Sequence, residues 1–70
     1  MDRNTKELFK IFEIGVENER KAQEFYKDLI AKSRSEMEKQ IFLNFLEEER
    51  KHEQKLMQMY ADMKEQYNLR

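Results

Sequence analysis

The sequence predicts an all-α fold: an antiparallel helical hairpin that pairs with a second copy into a four-helix bundle. Three observations point there. Apolar residues recur at spacings of three and four through both halves. No proline interrupts either half, and the stretch Ser33-Arg34-Ser35 breaks the pattern near the middle. The chain has only 70 residues, one domain at most (1–70), and a chain of that size buries little surface by itself. It has no cysteine, so neither a disulfide nor a thiolate-held zinc can staple it. A metal ion and self-association are the staples that remain.

The first helix is expected from about Thr5 to Lys32 (5–32). Asn4 is followed by Glu7, and Leu8 opens the apolar pattern, a capping-box-like start with Asn4 as N-cap. The central stripe is Leu8, Phe12, Gly15, Glu19, Ala22, Tyr26 and Leu29. Ile11, Ile14, Phe25 and Ile30 widen it on one side, Phe9 and Val16 on the other. So wide an apolar sector can face more than one neighbour. Gly15 is the only glycine, and in mid-helix it costs roughly 1 kcal/mol against alanine. It serves either close helix packing or room beside a site. Ser35 with Glu38 forms a second capping box, so the second helix is expected over about 36–67. A linker this short makes the two helices antiparallel neighbours.

Charge excludes several functions. Charged residues make up 41% and the mean hydropathy is −1.11, yet the formal net charge is only −1. The five phenylalanines and three tyrosines, and helically spaced pairs such as Glu17/Lys21 and Glu47/Lys51, indicate a solvated helical face rather than disorder. No segment is dominated by Lys and Arg, which argues against nucleic acid as a partner. No apolar run is long enough to span a membrane. The N-terminus lacks the apolar region of a signal peptide, so the cytoplasm is the expected compartment.

The chemistry gathers in the second helix. Stepping by three and four from Phe42 gives Phe45, Glu49, His52, Leu56, Met59 and Met63. The only histidine and a carboxylate thus sit within an apolar stripe. Glu47, Glu48, Arg50 and Lys51 are expected to face solvent. Glu53 is ambiguous, because it shares a heptad position with Leu46, Tyr60 and Tyr67; lining a metal-entry path or an oligomer contact is its alternative role. Met37, Met57, Met59 and Met63 are most simply adaptable core or interface residues.

Alone, Glu-x-x-His is a weak signal in a chain with 15 acidic residues. Register strengthens it. Glu19 lies 15 residues before Arg34 and Glu49 lies 15 after it. Both therefore sit roughly 22 Å from the turn, at one height. One hairpin offers two carboxylates and one imidazole, too few for two metals. A two-fold dimer offers four and two. Four buried carboxylates need cations, and two divalent ions balance them if both histidines are neutral. Oxygen-rich ligation with some imidazole favours iron or manganese over tetrahedral zinc. The competing readings are a structural helical-hairpin module, dimeric or partner-binding, with Glu49 and His52 paired to each other, and a metal-stabilised dimer without turnover.

The strings Glu17-Asn18-Glu19-Arg20-Lys21-Ala22-Gln23-Glu24-Phe25-Tyr26 and Glu47-Glu48-Glu49-Arg50-Lys51-His52-Glu53-Gln54-Lys55-Leu56 resemble the rubrerythrin branch of the ferritin-like superfamily. Glu19, Ala22 and Tyr26 match its first ligand helix, and Glu49 and His52 its Glu-x-x-His. The resemblance covers nearly the whole chain but half of the usual four-helix unit. It is similar, too, to two-helix ferritin-like proteins held in encapsulin nanocompartments, which build a di-iron site across a dimer. The resemblance implies a di-iron site, about one iron per chain, with Glu49 bridging the metals, Glu19 a terminal or chelating ligand and His52 a terminal nitrogen ligand. It implies that Tyr26 hydrogen-bonds a ligand; read from the residues alone, Tyr26 is an ordinary core aromatic. It implies oxidation of Fe(II) to Fe(III) by dioxygen or peroxide. The chain lacks the cysteines of a rubredoxin centre, and Ala22 stands where some members carry a further glutamate, so a ferroxidase cycle fits better than a peroxidase cycle. The segment Glu65 to Arg70 does not read as an encapsulin-loading peptide.

Overall fold

Two amphipathic runs with no proline fold as two long helices, α1 (Arg3–Lys32) and α2 (Glu36–Gln66). The computed structural model describes residues 2–67; Met1 and residues 68–70, where part of the C-terminal loading-peptide reading falls, lie outside them. α1 begins before the expected position. Its N-cap is Asp2 rather than Asn4: Asp2 Oδ1 accepts from the Thr5 amide at 2.7 Å, and the Asp2 carbonyl accepts from Lys6 N–H. Asp and Asn cap about equally well, so the earlier residue extends the helix at no penalty.

α1 ends at Ser33, whose amide donates to the Ile30 carbonyl and whose hydroxyl donates to the Leu29 carbonyl at 2.8 Å. α2 starts as expected. Ser35 Oγ accepts from the Glu38 amide at 3.1 Å. The Glu38 carboxylate reaches back to the Arg34 amide at 3.0 Å, one residue beyond the usual box. The turn is thus tied from both sides, and the helices run antiparallel in a rod of 51 × 16 × 15 Å.

The core is thin. Phe9, Val16 and Leu46 are the buried apolar residues, and none of the described side chains is fully sealed. Around them Phe12, Tyr26 and Ile30 of α1 pack with Phe42, Leu56, Tyr60 and Met63 of α2, all partly buried. Phe9 meets Tyr60 edge-on with ring centroids 5.3 Å apart. The burial is centred nearer Phe9 and Val16 than the expected stripe through Leu8.

On α2 the expected stripe is split. Phe42, Glu49, Leu56 and Met63 face α1, together with Leu46, Glu53 and Tyr60. Phe45, His52 and Met59 turn outward along one edge of the hairpin. The two sets lie within about 100° of each other around the helix, so either could lead the packing. Tertiary packing decides: Leu46 is buried, and Tyr60 sets its ring edge-on against Phe9. His52 is therefore an edge residue and not a core residue. Exposed Ile11 and Phe25 of α1 share its edge with Ile41, Phe45 and Met59, while exposed Leu43 and Met57 lie on the other. No helix among the described residues is long and apolar enough to cross a membrane.

Candidate metal centre

α1 supplies Glu19, and α2 supplies Glu49 and His52 three residues apart on one face. Equal distance from a short turn makes the height of Glu19 and Glu49 the same. His52 Nδ1 lies 3.7 Å from Glu19 Oε2 and 3.8 Å from Glu49 Oε2. One ligand atom from each of the three residues falls within 4.8 Å of the others. The carboxylates are mostly covered (side chains 23% and 20% exposed), whereas the imidazole is 54% exposed.

Glu19 Oε2 is buried without a hydrogen-bond partner among the described residues. Two ionised carboxylates have no proton to share, and both imidazole separations exceed hydrogen-bond range. Taking up a proton would let Glu19 donate to Glu49, and this is the largest cause of a Glu19 pKa above the usual carboxylate value of 4.5. Burial and the negative charge of Glu49 push the same way, Glu53 adds a little, and His52 opposes. The neighbouring cations do not relieve the pair. Lys21 forms an ion pair with Glu17, Arg50 with Glu47 and Lys51 with Glu48 on the exposed face, and Arg20 with Glu53.

This donor set fits a metal ion. Bonds of about 2.1 Å to first-row divalent ions place donors on one ion roughly 3–4 Å apart, the spacing of the imidazole nitrogen and the two carboxylates. An ion would satisfy the orphaned oxygen and offset the like charges.

Tyr26 does not join this cluster within the chain. It lies two turns from Glu19, roughly 10 Å along α1, and packs against Phe25 and Phe45 with centroids 5.4 and 5.6 Å away. Its hydroxyl bonds neither carboxylate among the described residues. Gly15 sits beside the cluster, and a Cβ added there would meet Leu56 Cδ1 at 3.9 Å, an ordinary contact. Packing within the hairpin therefore does not require glycine at this position. Glu53, ambiguous from its heptad position, points between the helices and accepts from Gln23 Nε2 at 3.2 Å. Its partners Arg20 and Gln23 were not legible in the sequence; the only signal was that Glu53 interrupts the Leu46–Tyr60 heptad.

An all-α hairpin with one glutamate on its first helix and Glu-x-x-His on its second carries half of the ligand pattern of ferritin-like di-metal carboxylate bundles. The Rubrerythrin family model matches residues 10–70, and the chain belongs to the rubrerythrin family. That family typically binds iron, at di-iron sites of the ferritin-like kind. No curated protein and no solved structure matches the chain.

Proposed function

We propose that this protein binds a pair of iron ions and oxidises Fe(II) with dioxygen or peroxide, at a site completed by a second copy of the chain. The observation that carries this is the orphaned Glu19 oxygen facing Glu49 and a half-exposed imidazole on an uncovered apolar edge. Glu19 and Glu49 would be the anionic ligands and His52 the neutral nitrogen ligand. When bound, the metal pair supplies two electrons, which with two protons reduce dioxygen to hydrogen peroxide or hydrogen peroxide to two waters.

Two arguments support a second copy. One hairpin provides two carboxylates and one imidazole; two hairpins provide four and two, and four negative charges balance two divalent ions. The accessible surface is 5864 Å² for an 8.7 kDa chain. A folded monomer of that mass exposes roughly 4,700 Å², so the hairpin carries an excess of roughly 1,100 Å², somewhat more than the ~800 Å² each partner loses in a standard interface. Phe25, Phe45 and Met59 on the open edge are suited to be covered, and with Ile11 and Ile41 they would exclude bulk water from the ligands. In a bundle, Tyr26 would approach the ligands of one chain or the other as a hydrogen-bond donor.

The non-metal alternative needs Glu49 and His52 to satisfy each other, and 3.8 Å is too long for that. The same donors accept manganese. Elemental analysis of the purified protein with its solution mass tests the reading: about one iron per chain and a dimer or larger are expected. Glu49→Ala and His52→Ala should each remove the metal. Anaerobic iron titration that changes neither stability nor oligomer size refutes the metal reading; iron bound without faster Fe(II) oxidation leaves a structural metal. Confinement in a cytoplasmic protein shell, as the two-helix resemblance implies, is tested by whether a shell protein co-purifies.

A further inference from the structure

We propose that Arg20 and Gln23 hold the Glu53 carboxylate out of the metal site, so that each chain presents two anionic ligands and not three. This rests on the metal reading above. The middle of the hairpin contains three partly buried carboxylates, Glu19, Glu49 and Glu53. Their environments differ. Among the described residues, Glu19 and Glu49 have no charged partner beside them other than His52. Glu53 Oε1 accepts from Gln23 Nε2 at 3.2 Å and lies 3.5 Å from Arg20 Nε.

The two helical edges explain the division. Successive residues leave an α-helix about 100° apart, so His52 is directed to the open apolar edge and Glu53 away from it. On the other edge the helices are tied by polar bonds: Arg20 and Gln23 to Glu53, and the Tyr60 hydroxyl to Glu13 at 3.2 Å. Glu53 is one turn from Glu49 on the same helix, and its charge reaches Glu19. A rotamer change would bring a third carboxylate toward the ligands. An additional anionic donor would hold a divalent ion more tightly and exceed the four carboxylates that balance two such ions. Arg20 is 61% exposed, so the pair contributes little stability. Its consequence is to neutralise and orient Glu53, which makes Arg20 and Gln23 positioning residues that set the ligand count.

Co(II) titration followed by visible absorption tests this, with helicity checked by circular dichroism. Wild type and Glu53→Gln should bind Co(II) with the same stoichiometry, Kd and spectrum. The double variant Arg20→Gln/Gln23→Leu should bind about tenfold or more tightly, the size of effect that outer partners have on metal sites, with an altered spectrum. Adding Glu53→Gln to that double variant should restore wild-type behaviour. Should the double variant lose helicity, Arg20→Gln alone, at an exposed position, decides by the same readouts. Weakened Co(II) binding in Glu53→Gln would make Glu53 itself a ligand and overturn the proposal. Variants that lack the Arg20 and Gln23 partners yet bind and absorb as wild type overturn it too. A wild type that binds no Co(II) overturns the metal reading, and this inference with it.

Discussion

Replacing Glu19 by glutamine should stabilise the metal-free protein and abolish its response to metal. In the wild type a buried acceptor lacks a partner, and two carboxylates face each other. A glutamine amide can donate to the Glu49 carboxylate. Hydrogen bonds to a charged group contribute about 1.5–3 kcal/mol; for side chains still about one-fifth exposed, about 1 kcal/mol is the expected net gain. For a domain of this size that raises Tm by roughly 4–8 °C. Metal reverses the order: with the ion at a hundredfold excess over Kd the wild type gains about 2.7 kcal/mol and the variant nothing. The pH dependence follows from the raised Glu19 pKa. The folded state holds the proton more tightly than the unfolded chain, so stability falls as pH rises from the ordinary value of 4.5 through the raised one. Above the raised pKa, Glu19 is a constant liability that glutamine removes. Thermal melts at neutral and mildly acidic pH, with chelator and with anaerobic Fe(II), at fixed protein concentration, measure all of this. A metal-free Glu19→Gln chain that melts at or below the wild type at neutral pH would refute the account of the carboxylate pair.

The other expectations concern packing. Leu46→Ala, at a core position only 5% exposed, should cost about 2–5 kcal/mol in urea unfolding, enough to unfold so thin a core. Ser35→Ala removes the acceptor for the Glu38 amide and should cost about 1 kcal/mol, with loss of helicity at the start of α2 visible in hydrogen exchange. Gly15→Ala places a methyl at an ordinary distance from Leu56, so the hairpin itself should gain about 1 kcal/mol. If a second helix closes over Gly15, the same variant shifts the solution mass toward monomer. Met59→Glu, on the open apolar edge, should leave helicity intact while reducing the solution mass, read by light scattering.

Much of this fold follows from local rules. Helix type, the Ser33–Ser35 turn and the Ser35 cap are set by neighbours within four residues. The equal height of Glu19 and Glu49 follows because helical rise is constant, so counting residues from the turn measures distance. The start of α1 was less determined, since Asp2 and Asn4 are comparable caps and only the Thr5 amide, bonded to Asp2, separates them. What sequence periodicity cannot decide is the rotation of a helix about its own axis. Phe45-His52-Met59 and Leu46-Glu53-Tyr60 are both regular sectors of α2, and either can be turned toward α1. Only tertiary packing, which buries Leu46 and sets Tyr60 against Phe9, made the choice. That rotation put Glu53 between the helices, within reach of Gln23 and Arg20, and left His52 on the edge beside Glu19. Periodicity fixes which residues share a face; the partner across the interface fixes where that face points.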